Sequence, residues 1–271
     1  MRRSRSQRTW LALLLLLLAL LIWRFARPML LPENPSTAKG HYLLLIAQEA
    51  ILFGIPALFL RPWRSRLARR EGRQGAILSL PAGILLAMTL GPVSAGWSSL
   101  MHIAPQKTPL PGTALEWALM VLAMVVVPAL AEEAFFRGGV LCGLVGDMGG
   151  RAAFALTVAV FTLMHGRVAA LPAHLACGAL FTLGMLRYGR LWPSVVMHVS
   201  YNAATLTLAW LGVSLSWFSL AGTVPALAAL VAIMLRGTVR RERKPLDIIN
   251  AALGAVTVAV SVLYFLVQLS I

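Results

Sequence analysis

Three groups of polar residues interrupt the apolar stretches of this sequence, and their side chains are those that acid–base chemistry needs. The first is the pair Glu132-Glu133, followed by Arg137. Glu133 and Arg137 are spaced i,i+4, so a helix places them on one face as an ion pair. Glu132 has no such local partner, and a carboxylate inside an apolar helix costs roughly 2.5–3.5 kcal/mol to insert. We therefore predict that Glu132 is a general base, with a structural ion-pair role for both acids as the alternative.

Imidazole and amide side chains form the other two groups. His165 ends an apolar run and lies four residues after Phe161, while His198 precedes Asn202 by the same interval. On one helical face, His198 and Asn202 can both donate hydrogen bonds to a single point, which a developing oxyanion requires. Taken singly, His165 could be a packed histidine, and the other two could join neighbouring helices by hydrogen bonds. Together the three groups supply a base, a second imidazole and two donors, the side chains needed to hydrolyse an amide.

The elements that must position these groups are predicted to be membrane-spanning helices. Of the 271 residues, 59% are hydrophobic and only 12% are charged, compared with about half and a quarter in ordinary soluble domains. We predict an all-α fold, a polytopic transmembrane helix bundle with about eight to nine membrane-spanning helices. The candidate spans are 9–31, 41–60, 75–97, 114–143, 152–166, 168–186, 191–212, 215–235 and 248–271.

The depth of Glu132 and His165 in the membrane decides whether they can share a site. Strict alternation of the spans puts Glu132 near the inner face and His165 near the outer face, too far apart at about 1.5 Å per residue. We therefore predict that one long or tilted helix covers 114–146 and lifts Glu132 toward mid-membrane. A second helix over 152–171 would continue past His165 and bring the imidazole to the same level.

Basic residues cluster in short blocks between the apolar runs, with four in 2–8, six in 61–73 and five in 236–244. Such blocks are typical of cytoplasmic loops that face anionic lipid, so the net charge of +15 indicates the bilayer as a partner. A nucleic-acid-binding face would interleave basic with aromatic residues, and we predict no nucleic-acid partner.

The N-terminus is predicted to be cytoplasmic. Its Leu-rich run 10–23 is predicted to be an uncleaved signal anchor, because no small-residue cleavage pattern follows it.

The combination of motifs resembles the CAAX-protease and bacteriocin-processing (Abi, CPBP) family of intramembrane glutamate-type endopeptidases, which includes the Rce1-type prenyl-protein proteases. The resemblance rests on Glu-Glu-x-x-x-Arg at 132–137, Phe-x-x-x-His at 161–165 and His-x-x-x-Asn at 198–202. It covers about 115–205, with every motif position present. The first motif is fairly specific, and the other two are weak singly.

The resemblance implies a role for each motif residue. Glu132 and His165 would activate the attacking water, and His198 and Asn202 would form the oxyanion hole. Three further residues would support the site: Glu133, Arg137 and Phe161. The pattern of apolar runs and basic blocks, together with the extent of the resemblance, predicts three regions. They are N-terminal transmembrane helices with a basic cytoplasmic loop in 1–113, a catalytic core in 114–212, and C-terminal transmembrane helices with a second basic loop in 213–271.

A zinc site is the alternative chemistry for the same side chains. Glu132, His165 and His198 could hold the metal and leave a fourth position open. The compact His-Glu-x-x-His signature of zinc proteases is missing from the sequence, however. Asn is a poor zinc ligand and a natural oxyanion donor. We therefore predict a mechanism without a metal or other cofactor.

The predicted function is that of an intramembrane endopeptidase, which acts on a membrane-associated protein or peptide in a prokaryotic cell membrane. An ion-coupled transporter is one alternative, although the inverted repeats and paired broken helices that would favour it are not visible. A non-catalytic scaffold of the peptide-toxin immunity type is the other.

Outside the motifs, Gln48 and Glu49 could line a substrate path or pair with an arginine. His174 could donate a hydrogen bond to one of the catalytic side chains, but a hydrogen bond to a neighbouring helix is the favoured prediction.

Overall fold

Helices form every regular element of the residues that the computed structural model describes, which are 5–30, 37–60, 72–104, 108–235 and 256–262. The predicted all-α fold is confirmed for these residues. In chain order, the longer helices are α1 (Arg5–Leu30), α2 (Ala38–Leu60), α3 (Gly72–Leu100), α4 (114–148), α5 (150–164), α6 (Leu171–Tyr188), α7 (Trp192–Trp210) and α8 (Leu220–Leu235).

Five of the described helical stretches are long and apolar enough to cross a membrane, by length and composition. They are Ala38–Leu60, Ile77–Leu100, Ala114–Met164, Val168–Tyr188 and Trp217–Met234. Large apolar side chains such as Ile51, Leu58 and Phe59 are exposed on the outside of the bundle, where lipid would cover them. The protein is therefore an integral membrane protein. Most of the predicted ninth span and of the basic blocks 61–73 and 236–244 lies outside the described residues, so the number of crossings and the orientation stay predictions.

The chain reverses direction at Gly149, between α4 and α5. This residue has φ 78° and ψ 165°, a backbone region that is essentially restricted to glycine. Glu132 lies 17 residues before Gly149, and His165 lies 16 residues after it. At about 1.5 Å per helical residue, both are about 25 Å from the turn. The two nearly equal arms therefore bring Glu132 and His165 to the same level.

The helical stretch before Gly149 has the predicted length, whereas the prediction that the next helix continues past His165 to 171 is wrong. Helix α5 ends at Met164, and His165 caps its C-terminus. Gly166 follows with φ 60°, the left-handed conformation that ends many helices. The shared depth of the two residues thus comes from the turn at Gly149 and not from an extended fifth helix.

A second reversal, at Gly189, sets the register of α6 against α7. Gly189 caps α6 with φ 65°, and its N–H donates to the carbonyl oxygen of Met185. Phe181 lies eight residues before this glycine and His198 nine residues after it. The two rings consequently meet, stacked with their centroids 4.7 Å apart.

Wider π-helical turns interrupt α2 and α4. Two of them, Ala50–Gly54 and Leu122–Val126, are followed closely by Pro56 and Pro128. Proline lacks the N–H that would bond to the carbonyl four residues earlier and collides with that carbonyl, so the local helix must widen. The third, Glu133–Leu141, follows Glu132 directly and contains Arg137.

Helices α3 and α7 are in backbone contact at Gly83. A Cβ added at this position would overlap the carbonyl oxygen of Met197 and the hydroxyl of Ser200. These two residues lie on either side of His198, so the missing side chain at Gly83 allows α3 to support the part of α7 that carries the histidine. Close approach at small residues is typical of helices packed in membranes.

Candidate active site

Glu132 and His165 form the first pair of the site. The Nε2 atom of His165 lies 3.5 Å from Oε2 of Glu132, and the two side chains are 20% and 6% exposed. The other ring nitrogen, Nδ1, donates a hydrogen bond of 2.6 Å to the carbonyl oxygen of Phe161. That bond fixes the proton of a neutral ring on Nδ1, so Nε2 is the nitrogen that can take up or release a proton beside the carboxylate.

Glu133 joins the second imidazole to the buried arginine. Its Oε1 accepts hydrogen bonds from Nη1 of Arg137 at 2.7 Å and from Nδ1 of His198 at 3.0 Å. The i,i+4 ion pair expected from the sequence is therefore present, with both side chains fully buried. Because Nδ1 of His198 is held by Glu133, Nε2 is the nitrogen available to another group.

Arg137 ties together α4, α5 and α6. Its Nη2 donates to the carbonyl oxygen of Gly178 at 3.2 Å, and its Nε donates to the hydroxyl of Thr182 at 3.3 Å. The guanidinium carbon also lies 4.3 Å from the centroid of the Phe161 ring, a cation–π contact. The arginine therefore holds both Glu133 and the ring that packs against His165.

Helix α6 contributes residues to the site that belong to none of the sequence motifs. They are His174, Gly178, Phe181 and Thr182, which share one helical face. Gly178 allows Phe161 to pack closely, since a Cβ added there would be 3.0 Å from a ring carbon of Phe161. The spacing of His174 and Thr182 in an otherwise apolar helix was the only signal of this face in the sequence.

His174 lies directly against His165, with ring centroids 4.0 Å apart and an angle of 33° between the rings. The predicted hydrogen bond to a neighbouring helix is not made by Nδ1, a buried atom without a hydrogen-bond partner among the described residues. Sequence reasoning therefore assigned this histidine to packing between helices, whereas the structure places it beside the candidate base pair.

Asn202 and Glu49 are two further polar residues that the sequence singles out. Asn202 is half-buried on α7, one turn after His198, as the spacing predicts. Glu49, from α2, interacts electrostatically with Glu132, and its Oε2 is buried without a hydrogen-bond partner in the described part of the chain. Within that part, no three His, Cys, Asp or Glu side chains are grouped so that they could hold a metal ion.

The geometry is suited to polar chemistry in an apolar setting. A water molecule that contacts both Glu132 and His165 would have two proton acceptors beside it. His198 and Asn202 would offer two donors on the opposite helix, at a place where the surrounding aromatic rings exclude bulk water. Among these rings are Phe136, Phe161 and Phe181.

Comparison with known proteins gives one match. Residues 114–204 match the family model of the type II CAAX prenyl endopeptidase Rce1-like proteins. No curated protein and no solved structure matches the chain. The matched segment contains Glu132, His165, His198 and Asn202, together with the supporting residues of the three motifs. Residues 114–204 of this chain, which hold all three motifs, are therefore similar to the Rce1-like type II CAAX prenyl endopeptidases.

Proposed function

We propose that this protein hydrolyses a peptide bond of a membrane-associated protein or peptide, with Glu132 and His165 as the groups that activate water. The observation that carries the proposal is the 3.5 Å contact between Nε2 of His165 and Oε2 of Glu132. These residues come from different helices and meet at one level although apolar helices surround them. Ionisable side chains are costly in such a position, which favours a functional role.

In this mechanism the water is deprotonated as it attacks the carbonyl carbon of the scissile bond. Glu132 accepts the proton, while the Nδ1–H bond to the Phe161 carbonyl holds the His165 ring so that Nε2 faces the same water. The C–O bond forms as the carbonyl becomes a tetrahedral oxyanion. The C–N bond then breaks, and the proton held by the Glu132–His165 pair passes to the departing amine.

His198 and Asn202 are proposed to stabilise the oxyanion. The amide of Asn202 can donate directly, whereas Nε2 of His198 donates only when the ring carries protons on both nitrogens. Glu133, bonded to Nδ1 at 3.0 Å, compensates the positive charge of that form. Arg137 and Glu133 are thus proposed to support catalysis by orienting His198, without contacting the substrate.

The proposed chemistry needs no metal, since a carboxylate and an imidazole supply the base and a second imidazole and an amide supply the donors. A zinc ion on Glu132, His165 and His198 is the competing mechanism. Cleavage that continues in the presence of a strong zinc chelator is the expected result. A loss of activity that added zinc restores would favour the metal.

The decisive experiment compares membrane proteins from cells that carry the wild-type protein with those that carry Glu132→Gln. Loss of a general base typically reduces a rate by about 10²–10⁴-fold, so uncut precursors should accumulate in the Glu132→Gln membranes. Glu116→Gln is the matched control, because Glu116 lies in the first turn of the same helix, far from the site. Normal processing by a folded Glu132→Gln protein would rule out the proposed function.

A further inference from the structure

Two aromatic rings pack against the ring of His165. The centroid of Phe161 lies 4.5 Å from that of the imidazole, at 56°, and the centroid of His174 lies 4.0 Å away, at 33°. With Nδ1 tied to the Phe161 carbonyl, the Nε2 edge beside Glu132 is the part of the ring left for chemistry. The family motif contains Phe161 but does not contain His174.

The charges around His174 indicate which of the two stacked rings becomes positive. His174 interacts electrostatically with His165, Arg167 and His198. Two adjacent imidazolium ions would repel strongly in an apolar interior, so only one of the stacked rings can be charged at a time. His165 has the carboxylate of Glu132 beside it. A proton taken up during the reaction is therefore better placed on His165, with a neutral His174 ring packed beside it.

A neutral aromatic face next to an imidazolium is favourable, because the electrons of the ring face attract the cation. The same face also limits rotation of the His165 side chain. Both effects require a flat ring at position 174 and do not require a nitrogen atom. They also act when His165 takes up a proton, so they concern the chemical step more than the binding of substrate.

We propose that His174 is a positioning residue, which holds the His165 ring with Nε2 toward Glu132 and stabilises its protonated form. The inference rests on the proposed function, since it assigns His165 a part in proton transfer. It extends the site to α6. In this helix, His174 packs against His165 of the base pair, and Phe181 packs against His198.

The substitutions His174→Phe and His174→Leu introduce side chains of similar size. They distinguish the effect of a flat ring from the effect of side-chain volume. Membranes that contain the precursors accumulated by Glu132→Gln serve as substrate, and purified variants are added at several substrate levels to obtain kcat and KM. Small misplacements of catalytic groups can cost up to about 100-fold in rate. We expect His174→Leu to lose about 10- to 100-fold in kcat with little change in KM. His174→Phe should restore most of the lost kcat.

The outcomes are distinguishable from failure of the proposed function. If Glu132→Gln accumulates no precursor, the proposed function fails; if it does and both His174 variants retain wild-type kcat, only this inference fails. Equal losses in the two variants would also overturn it, because a nitrogen atom would then be what matters. A variant that does not fold argues for a purely structural role and likewise counts against positioning. His102→Asn, at an exposed turn with φ 55°, is the control and should behave like wild type.

Discussion

At the scale of single residues, the site consists of charges that each have a fixed partner. Glu132 is beside His165, and Glu133 is shared by Arg137 and His198. Removing one partner of a buried ion pair leaves an uncompensated charge. The resulting loss of stability is larger than the stability that the intact pair contributes. The two adjacent acids therefore have different partners, because their side chains point to different helices.

Arg137→Lys tests how much the stability and the activity depend on the shape of the guanidinium. Lysine keeps the charge near Glu133 but cannot also reach Gly178 and Thr182. We expect a loss of about 1–3 kcal/mol in stability, from buried acceptors left without a donor, and a lower kcat because Phe161 and Glu133 are less well held. Thermal unfolding in detergent and precursor cleavage measure the two effects. Thr182→Val removes the 3.3 Å contact with Arg137 and the 2.6 Å hydrogen bond from the Thr182 hydroxyl to the Gly178 carbonyl, but it leaves the guanidinium in place. It should therefore cost less, and an equal cost would contradict the proposed role of the guanidinium fork.

Residue types and spacing were enough to single out polar residues that the structure brings into contact. Glu132, His165 and His198 were informative because polar groups in apolar helices are expensive. Phe181 was not recognised and His174 was assigned to a contact between helices, since a single phenylalanine or histidine in an apolar helix is usually packing. Only the folded arrangement places them against the two imidazoles.

At the scale of helices, two glycines set the register on which the site depends. Gly149 reverses α4 into α5, and Gly189 reverses α6 into α7. The predicted spans already break at 144–151 and at 187–190, where these two glycines lie. The residue that makes each turn could not be singled out, because glycine is common in membrane helices. The end of α5 at Met164 was also not recognisable, and His165 was predicted to lie inside a longer helix.

Gly149→Ala and Gly150→Ala form a matched pair. A Cβ added at either residue meets nothing within 4 Å, so the two variants differ in backbone conformation alone. Gly149 has φ 78°, where alanine is strained by about 1–3 kcal/mol. We expect Gly149→Ala to unfold at a lower temperature and to cleave more slowly, as His165 shifts relative to Glu132. Gly150→Ala should be close to wild type, and equal behaviour of the two would contradict the role of the turn.

At the scale of the whole molecule, the described residues form a helical bundle that exposes many apolar side chains and buries Glu132, Glu133, Arg137 and His198 among apolar residues. Composition predicted this architecture, since 59% hydrophobic residues cannot be buried by a soluble fold. The number of crossings stays a prediction, because most of the ninth span lies outside the described residues. Ala114–Met164 is one helical stretch of 51 residues, and the turn at Gly149 divides it as the predicted spans 114–143 and 152–166 require.

Orientation in the membrane can be tested with single cysteines. The basic blocks predict that the loop containing Ser65 is cytoplasmic and that the one containing Leu110 is outside. In intact cells, a membrane-impermeant thiol reagent should therefore label Leu110→Cys but not Ser65→Cys. The native Cys142 and Cys177 are buried and should give little background. The reverse pattern would show that the N-terminus lies outside.

The central claim is that Glu132 and His165 act on one water as a unit. It is tested most directly by the rates of precursor cleavage for wild type, Glu132→Gln, His165→Phe and the double variant. Residues that act together lose most of their effect in the first substitution. We predict that each single variant is slowed by about 10²-fold or more and that the double variant is no slower than the worse of the two. Losses that multiply in a folded double variant, or a Glu132→Gln protein that cleaves at the wild-type rate, would contradict the account.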